Sequence, residues 1–277
     1  MADLAPTREE HKAKKSLGQN FLVDPTVCPR IAEKAGIDGI GVLEIGPGFG
    51  TLTVELAKRA AKVVAIEIDT DVLEKLGENL RPYPNVKVIS GDAMKMDLRS
   101  LIEEEFGGME VAIAGNLPYY ITSPLIMKFL EDKLPVTSIT AMVQKEPAVR
   151  FCAKPGTKDC GAVSAAVWYY SMPKILFDVG PGAFRPRPKV NSAVIRLAVR
   201  DKPYVAVKDE KMFFSVVRGA FGQRRKTAAN AVSSALSADK ETIYRALEYA
   251  GADASVRAEK LTMEDFAKIS DYLSENM

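Results

Sequence analysis

The sequence predicts an α/β fold, an open and mostly parallel sheet covered by helices, with a small all-helical domain at the C-terminus. Three observations carry this reading. Short β-branched runs alternate with amphipathic stretches through the first two-thirds of the 277 residues, the pattern of successive strand–helix units. The first run ends in a glycine-rich turn, Glu44-Ile45-Gly46-Pro47-Gly48-Phe49-Gly50, where glycines let the backbone turn sharply and a ligand come close. After about Arg200 only helical patterns remain. The expected division is residues 1–200 for the sheet domain and 201–277 for the helical one, with a linker at 201–203; a chain of this length accommodates one large domain or two unequal ones.

Taken in order, residues 41–45, 63–68, 86–90, 111–114 and 138–143 read as buried strands, being short, β-branched and nearly continuous in apolar character. Between them, residues 52–59, 71–80 and 98–106 space their apolar side chains by three and four, as amphipathic helices do. Residues 174–179 and 192–199 are expected to extend the sheet as strands that can run antiparallel. In the C-terminal part, Phe213, Val216, Val217, Ala220 and Phe221 form one apolar stripe. Ile243, Ala246, Leu247 and Ala250 form a second, stopped by Gly251. The last helix opens on Thr262 as N-cap with Asp265 at N3, and Leu261 and Phe266 are placed as a hydrophobic staple.

At 47% hydrophobic and 27% charged, the composition is that of an ordinary globular protein. Cys28, Cys152 and Cys160 lack metal-ligand spacing, and with His11 as the single histidine no metal is expected. Three scattered thiols suit a reducing compartment and read as small buried apolar residues. Residues 1–15 are charged and lack an apolar secretory segment. The longest near-apolar run, residues 162–170, is far short of the roughly 20 residues that span a bilayer. A soluble, cytoplasmic, monomeric protein with no membrane association is the expectation. The net charge of +2 hides an asymmetry, because residues 183–226 hold 12 Lys/Arg against 3 Asp/Glu, a local +9 that leaves −7 elsewhere. Cations segregated in this way mark a surface for a polyanion, nucleic acid above all.

Ligands of an open α/β sheet bind outside the carboxyl ends of its strands, and the informative motifs fall there. The glycine loop alone fits two cofactor classes. A dinucleotide fold prefers G-x-G-x-x-G, whereas here the third glycine comes one residue early. Glu67, ending the second strand 21 positions after Gly46, can accept from ribose hydroxyls in either case. The downstream motifs separate the two. Gly91-Asp92-Ala93 puts a carboxylate at the third strand end, able to accept from an adenine amino group. Asn116-Leu117-Pro118-Tyr119 follows the fourth strand, and a dehydrogenase has no evident use for it.

That tetrad suits methylation of a planar amine. The lone pair of an adenine N6 is delocalised into the ring, and two acceptors on its N–H groups favour a pyramidal nitrogen with its lone pair directed outward. The Asn116 side-chain oxygen and the Pro118 carbonyl are the acceptors expected. Tyr119 offers a stacking face worth roughly 1–3 kcal/mol. No ionised general base is required, since the amine turns acidic once methylated.

These motifs occur together with Gly18-Gln19-Asn20-Phe21-Leu22, Phe184-Arg185-Pro186-Arg187-Pro188-Lys189-Val190 and Phe221-Gly222-Gln223-Arg224-Arg225-Lys226-Thr227. In their order and spacing the chain resembles the bacterial small-subunit ribosomal RNA adenine N6,N6-dimethyltransferases. The resemblance runs from about residue 11 to the C-terminus, where Leu261-Thr262-Met263-Glu264-Asp265-Phe266 is similar too. It implies a Rossmann-like S-adenosylmethionine-dependent methyltransferase fold. It also implies dimethylation of two adjacent adenines in a hairpin loop near the 3′ end of the small-subunit RNA, with the immature small ribosomal subunit as partner and a role in its biogenesis.

By motif, the resemblance implies cofactor contacts for Asn20, Leu22, Gly46, Gly48, Glu67, Asp92, Ala93 and Asn116. It implies a catalytic centre of Asn116, Leu117, Pro118 and Tyr119, with Phe184 and Tyr119 sandwiching the extruded adenine. Extrusion is expected physically, because chemistry on a base edge requires access and a loop base is cheaper to unstack than a paired one. RNA contacts fall to Arg185, Arg187 and Lys189, on a loop stiffened by prolines, and to Arg224, Arg225 and Lys226. One departure stands out. After Arg-Arg-Lys-Thr the family often carries Leu-Arg-Asn, whereas Ala228-Ala229-Asn230 follows here, one cation fewer. A sister family acting on large-subunit RNA shares the fold and cofactor, but the leucine of the tetrad and the Phe-Gly-Gln-Arg-Arg-Lys stretch favour the small-subunit group. A nucleic-acid-binding factor that keeps the fold without catalysis is the reading of a different class, opposed by the intact tetrad and glycine loop.

Overall fold

The computed structural model describes Lys14 and residues 18–277; residues 1–13, His11 among them, and 15–17 lie outside the described residues. In chain order the elements are β1 (Phe21–Leu22), α1 (Val27–Ala35), β2 (Gly41–Ile45), α2 (Thr51–Ala57), β3 (Lys62–Glu67), α3 (Leu73–Leu80), β4 (Val86–Ser90), α4 (Leu98–Phe106) and β5 (Val111–Asn116). There follow α5 (Thr122–Glu131), β6 (Ser138–Gln144), α6 (Lys145–Cys152), α7 (Ala162–Tyr170), β7 (Ser171–Val179), β8 (Phe184–Arg185) and β9 (Ser192–Val199). Four helices close the chain: α8 (Glu210–Gly222), α9 (Ala228–Leu236), α10 (Lys240–Ala250) and α11 (Met263–Asn276).

Seven strands form one sheet in the order β4-β3-β2-β5-β6-β9-β7. The pairs β2–β3, β3–β4, β2–β5 and β5–β6 are parallel, and β9 runs antiparallel to β6 from Ser138↔Ala198 to Gln144↔Ser192. Val42, Leu43, Val63, Val64 and Ile113 are buried, as the continuous apolar runs of a sheet covered on both faces require. From β2 the chain builds outward through β3 and β4, then crosses to β5 and builds the other way. The carboxyl ends of β2 and β5 therefore flank the topological switch point, where such sheets leave a ligand crevice.

β5 runs two residues past its apolar pattern, through Gly115 and Asn116. A Cβ at Gly115 would lie 2.7 Å from the Ile45 carbonyl oxygen, so only glycine admits this approach of β5 to β2. A second, two-stranded ladder pairs β1 with β8 antiparallel, Phe21↔Arg185 and Leu22↔Phe184. The first two residues of the expected Phe184–Val190 loop motif are thus strand. The helix expected from residue 71 begins instead at Leu73, after a 3-10 turn at Thr70–Val72 in which the Asp71 N–H donates to the Asp69 side chain.

The chain divides into two compact units, one holding residues up to Ala148 with Lys174–Val199, the other Val149–Pro173 with Arg200–Met277. The expected boundary at residue 200 differs at one place, since Val149–Pro173 joins the C-terminal helices. The reason is aromatic packing within the second unit. Tyr169 lies 5.0 Å from Phe213 between ring centroids, Tyr170 stacks on Phe214 at 5.6 Å, and the Tyr170 hydroxyl donates to Glu210 at 2.6 Å. In the same unit α10 is stopped by Gly251 at φ +77°, and α11 opens on the Thr262/Asp265 capping box.

Cys28 and Cys160 are buried and Cys152 is half-buried, all as free thiols. Burial pushes the Cys28 thiol up to about 12. Among the described residues no helix is long and apolar enough to cross a membrane.

Candidate active site

The carboxyl ends of β2, β3 and β5 open on one cleft. Asn20, Leu22, Gly46, Gly48, Glu67, Asn116, Leu117, Pro118 and Tyr119 all line it. The glycine loop takes the left-handed backbone at Gly46, Gly48 and Gly50, with φ of +72°, +59° and +87°, a region side chains rarely tolerate. It is fastened from two sides. The Gly46 N–H donates to the Ile66 carbonyl at 2.9 Å, and the Gly48 N–H to Glu67 Oε2 at 2.9 Å.

Glu67 is buried and its Oε1 accepts from the Asp69 N–H at 2.8 Å. Burial pushes its carboxyl above the ordinary range, and these backbone donors pull the other way. Beside it Ile68, 49% exposed, gives the cleft wall an apolar face. The sequence reading passed over Ile68, although an apolar residue directly after a strand-end carboxylate was visible there.

Glu44 opens the glycine-loop motif, and its place in the sequence alone signals no role for it. It is 1% exposed, lines the cleft, and its Oε2 has no hydrogen-bond partner. Burial pushes its carboxyl up to about 8, and the Glu67 charge adds to the effect. A buried acceptor without a partner is costly, and holding the proton on the carboxyl lessens that cost. Its proton is held more tightly in the folded chain than in the unfolded one. The contribution of Glu44 to stability is therefore fully present below the ordinary carboxylate range and is lost as pH rises toward about 8. Glu44→Gln is expected to flatten that decline in Tm. Parallel Tm–pH curves for variant and parent would place the titration at another group.

In the tetrad, Asn116 Nδ2 donates to the Asn20 carbonyl at 3.1 Å, which leaves Oδ1 as the acceptor end of the amide. The Pro118 carbonyl, expected as the second acceptor, is taken. It accepts from the Ile121 N–H at 3.1 Å and from the Thr122 hydroxyl at 3.0 Å, which uses both lone pairs. The neighbouring Leu117 carbonyl accepts no hydrogen bond among the described residues. Tyr119 is half-buried, its hydroxyl bonded to Ser192 Oγ at 2.7 Å, and burial raises its pKa. Ser192 carried no sequence signal for this contact.

Three expected residues lie away from the cleft lining. Phe184 is fully buried in the core with Leu22, Ile31 and Val194, on the strand that pairs with β1. Asp92 sits past the end of β4, where Oδ1 accepts from the Met94 N–H at 3.0 Å and Oδ2 is 3.6 Å from Lys95 Nζ. Ala93 beside it is buried.

Arg185 at the end of β8 and Arg187 and Lys189 after it are exposed, and Arg224, Arg225 and Lys226 are exposed on the turn between α8 and α9. None of the six makes an ion pair among the described residues. The Thr227 hydroxyl after that turn caps α9.

A parallel sheet of this strand order, with a crevice at its switch point walled by a glycine loop and a strand-end carboxylate, places the chain among the Rossmann-like methyltransferases. The profile of the ribosomal RNA adenine dimethylase family matches residues 10–275, and the chain belongs to that family. It is 49% identical over 270 residues to the ribosomal RNA small subunit methyltransferase A of Alkaliphilus oremlandii, covering 97% of this chain and 94% of that one. Against the protein of the same name from Geobacillus thermodenitrificans the identity is 48% over 265 residues, with 94% and 90% covered. Of solved structures, it is similar to a dimethyladenosine transferase from Plasmodium falciparum, with a TM-score of 0.75, 25% identity and coverage of 90% and 95%. The 23S rRNA methyltransferase ErmE is similar at a TM-score of 0.72, with 27% identity and coverage of 92% and 100%.

Proposed function

We propose that the chain transfers methyl groups from S-adenosylmethionine to the N6 amino groups of two adjacent adenines in a hairpin loop near the 3′ end of small-subunit ribosomal RNA, two to each base. Its substrate on this reading is the immature small ribosomal subunit. The observation that carries the proposal is Asn116 at the switch point, its amide nitrogen spoken for by Asn20 and its oxygen left as an acceptor.

The cleft fits the cofactor. Glu67 keeps lone pairs for ribose hydroxyls, and Ile68 offers an apolar face to an adenine ring. When bound, that cofactor supplies an electrophilic methyl group. Asp92, near the end of β4, is the acceptor assigned to the cofactor's adenine amino group, with Ala93 beside it.

On the target side, Asn116 Oδ1 and the Leu117 carbonyl are the two acceptors for the adenine N6 protons. Tyr119 is the stacking face. Its hydroxyl stays protonated, being pushed up by burial, so it is not a base, and none is needed for an amine that turns acidic on methylation.

Incubation with labelled S-adenosylmethionine and small subunits from cells lacking the modification is expected to put label on adenine N6. Cofactor binding without any label on adenine would remove the catalytic assignment. For the exposed cations, Arg224→Ala with Arg225→Ala is expected to flatten the slope of log affinity against log salt by about 1.4, at roughly 0.7 per phosphate contact on single strands. An unchanged slope would move the RNA surface elsewhere.

A further inference from the structure

We infer that Asp69 is a positioning residue, one that holds Gln19 and with it the cleft-lining residues 18–22, and through them sets the orientation of Asn116. Asp69 stands two residues past Glu67 and is 2% exposed. Its Oδ1 accepts from Lys14 Nζ at 2.6 Å and from the Asp71 N–H at 3.2 Å, and its Oδ2 accepts from Gln19 Nε2 at 2.6 Å. Gln19 Oε1 accepts in turn from the Lys14 N–H at 2.8 Å. Lys14 and Gln19 are therefore held to each other as well as to the carboxylate. Burial pushes the Asp69 carboxyl up, but Lys14 and Gln19 outweigh it and hold it below the ordinary range, so the anchor is ionised.

The next residue after Gln19 is Asn20, whose carbonyl accepts from Asn116 Nδ2 at 3.1 Å. The Asn20 side chain donates to the Gly18 carbonyl at 3.0 Å, and β1 follows directly to pair with β8. The Asn20 peptide is thus secured at both ends, by Asp69 through Gln19 and by the short ladder. A carboxamide is nearly symmetric in shape, and its hydrogen bonds alone decide which end faces a site. With the Asn20 carbonyl on Nδ2, Oδ1 is the end offered to the target amine. Detached from Asp69, residues 18–22 no longer fix that choice, and the NH₂ end of Asn116 meets the donor N–H groups of adenine. Gly18, Asn20 and Leu22 also line the cleft, so the same attachment retards ligand exit.

The effect on methyl transfer rests on the function proposed above, whereas the effect on ligand exit does not. Gln19→Leu and Asp69→Asn, singly and together in the full chain, test both. Each single variant is expected to release S-adenosylhomocysteine about tenfold faster on rapid dilution, the usual cost of losing a hydrogen bond to a charged group. Single-turnover methylation is expected to fall by a similar factor with RNA Kd unchanged, a split that a general loss of structure does not produce. The double variant is expected to be no worse than either single, because all act through one attachment. Product release equal to the parent in both singles, or effects that multiply in the double, overturns the inference. Should Asp69→Asn fail to fold, Gln19→Leu at its half-buried site decides alone. Failure of the parent to methylate adenine removes the proposed function, while the release rates still decide the role of Asp69.

Discussion

Replacing Asn116 with alanine is expected to lower single-turnover methylation by about 10²–10³-fold, the usual cost of deleting one preorganised hydrogen-bonding group at the reacting centre. The variant loses two things at once. Oδ1 no longer accepts from the target amine, so the nitrogen lone pair stays conjugated with the ring. The bond from Nδ2 to the Asn20 carbonyl also goes, and with it one of the ties on residues 18–22. RNA affinity is expected to stay near that of the parent, because phosphate contacts from exposed cations dominate it. Filter binding beside single-turnover methylation separates the two, and equal losses in both would identify a scaffold. Asn116→Asp distinguishes the components, as it keeps an acceptor but cannot donate to Asn20.

Glu67→Gln is expected to weaken cofactor binding by about 10- to 100-fold, matching the roughly 1.5–3 kcal/mol of a hydrogen bond to a charged group. Glu67 reaches further than a ribose contact. One of its oxygens holds the Gly48 N–H and the other the Asp69 N–H, so the carboxylate pins the glycine loop to the end of β3. A glutamine supplies one acceptor and turns its NH₂ toward the second donor, leaving a buried N–H without a partner. Titration calorimetry with S-adenosylmethionine and with S-adenosylhomocysteine should show the loss for both, since the adenosyl group is common to them. An unchanged affinity for both would leave Glu67 as a purely structural brace.

The parallel sheet was legible because β2, β3, β5 and β6 are buried on both faces and so carry uninterrupted β-branched runs. α7 was not, since an element apolar all round leaves no periodicity to read. Its residues were noticed only as a run too short for a bilayer. The β1–β8 ladder was invisible for another reason, as two residues per strand are too few to show alternation, and the pairing is made by the chain around them.

Within the site, strand-end position singled out Glu67, Asn116 and Tyr119. Residue type alone misled at Phe184, where an aromatic among cations reads as a stacking platform yet fills the core. The Pro118 carbonyl was read as available because the sequence does not show that Thr122, one turn later, closes back on it. Asp69 passed unnoticed because its partners lie 50 and 55 residues away.

The second compact unit is written in two separated stretches of chain, Val149–Pro173 and Arg200–Met277. This bears on how such a unit can be inherited. A single recombination point near residue 200 transfers Phe213 and Phe214 while leaving behind Tyr169 and Tyr170, the rings they pack against. A hybrid made that way joins halves of one core that were shaped in different lineages. The helical part is therefore not a cassette to be swapped at its apparent border, and its two stretches are bound to diverge together.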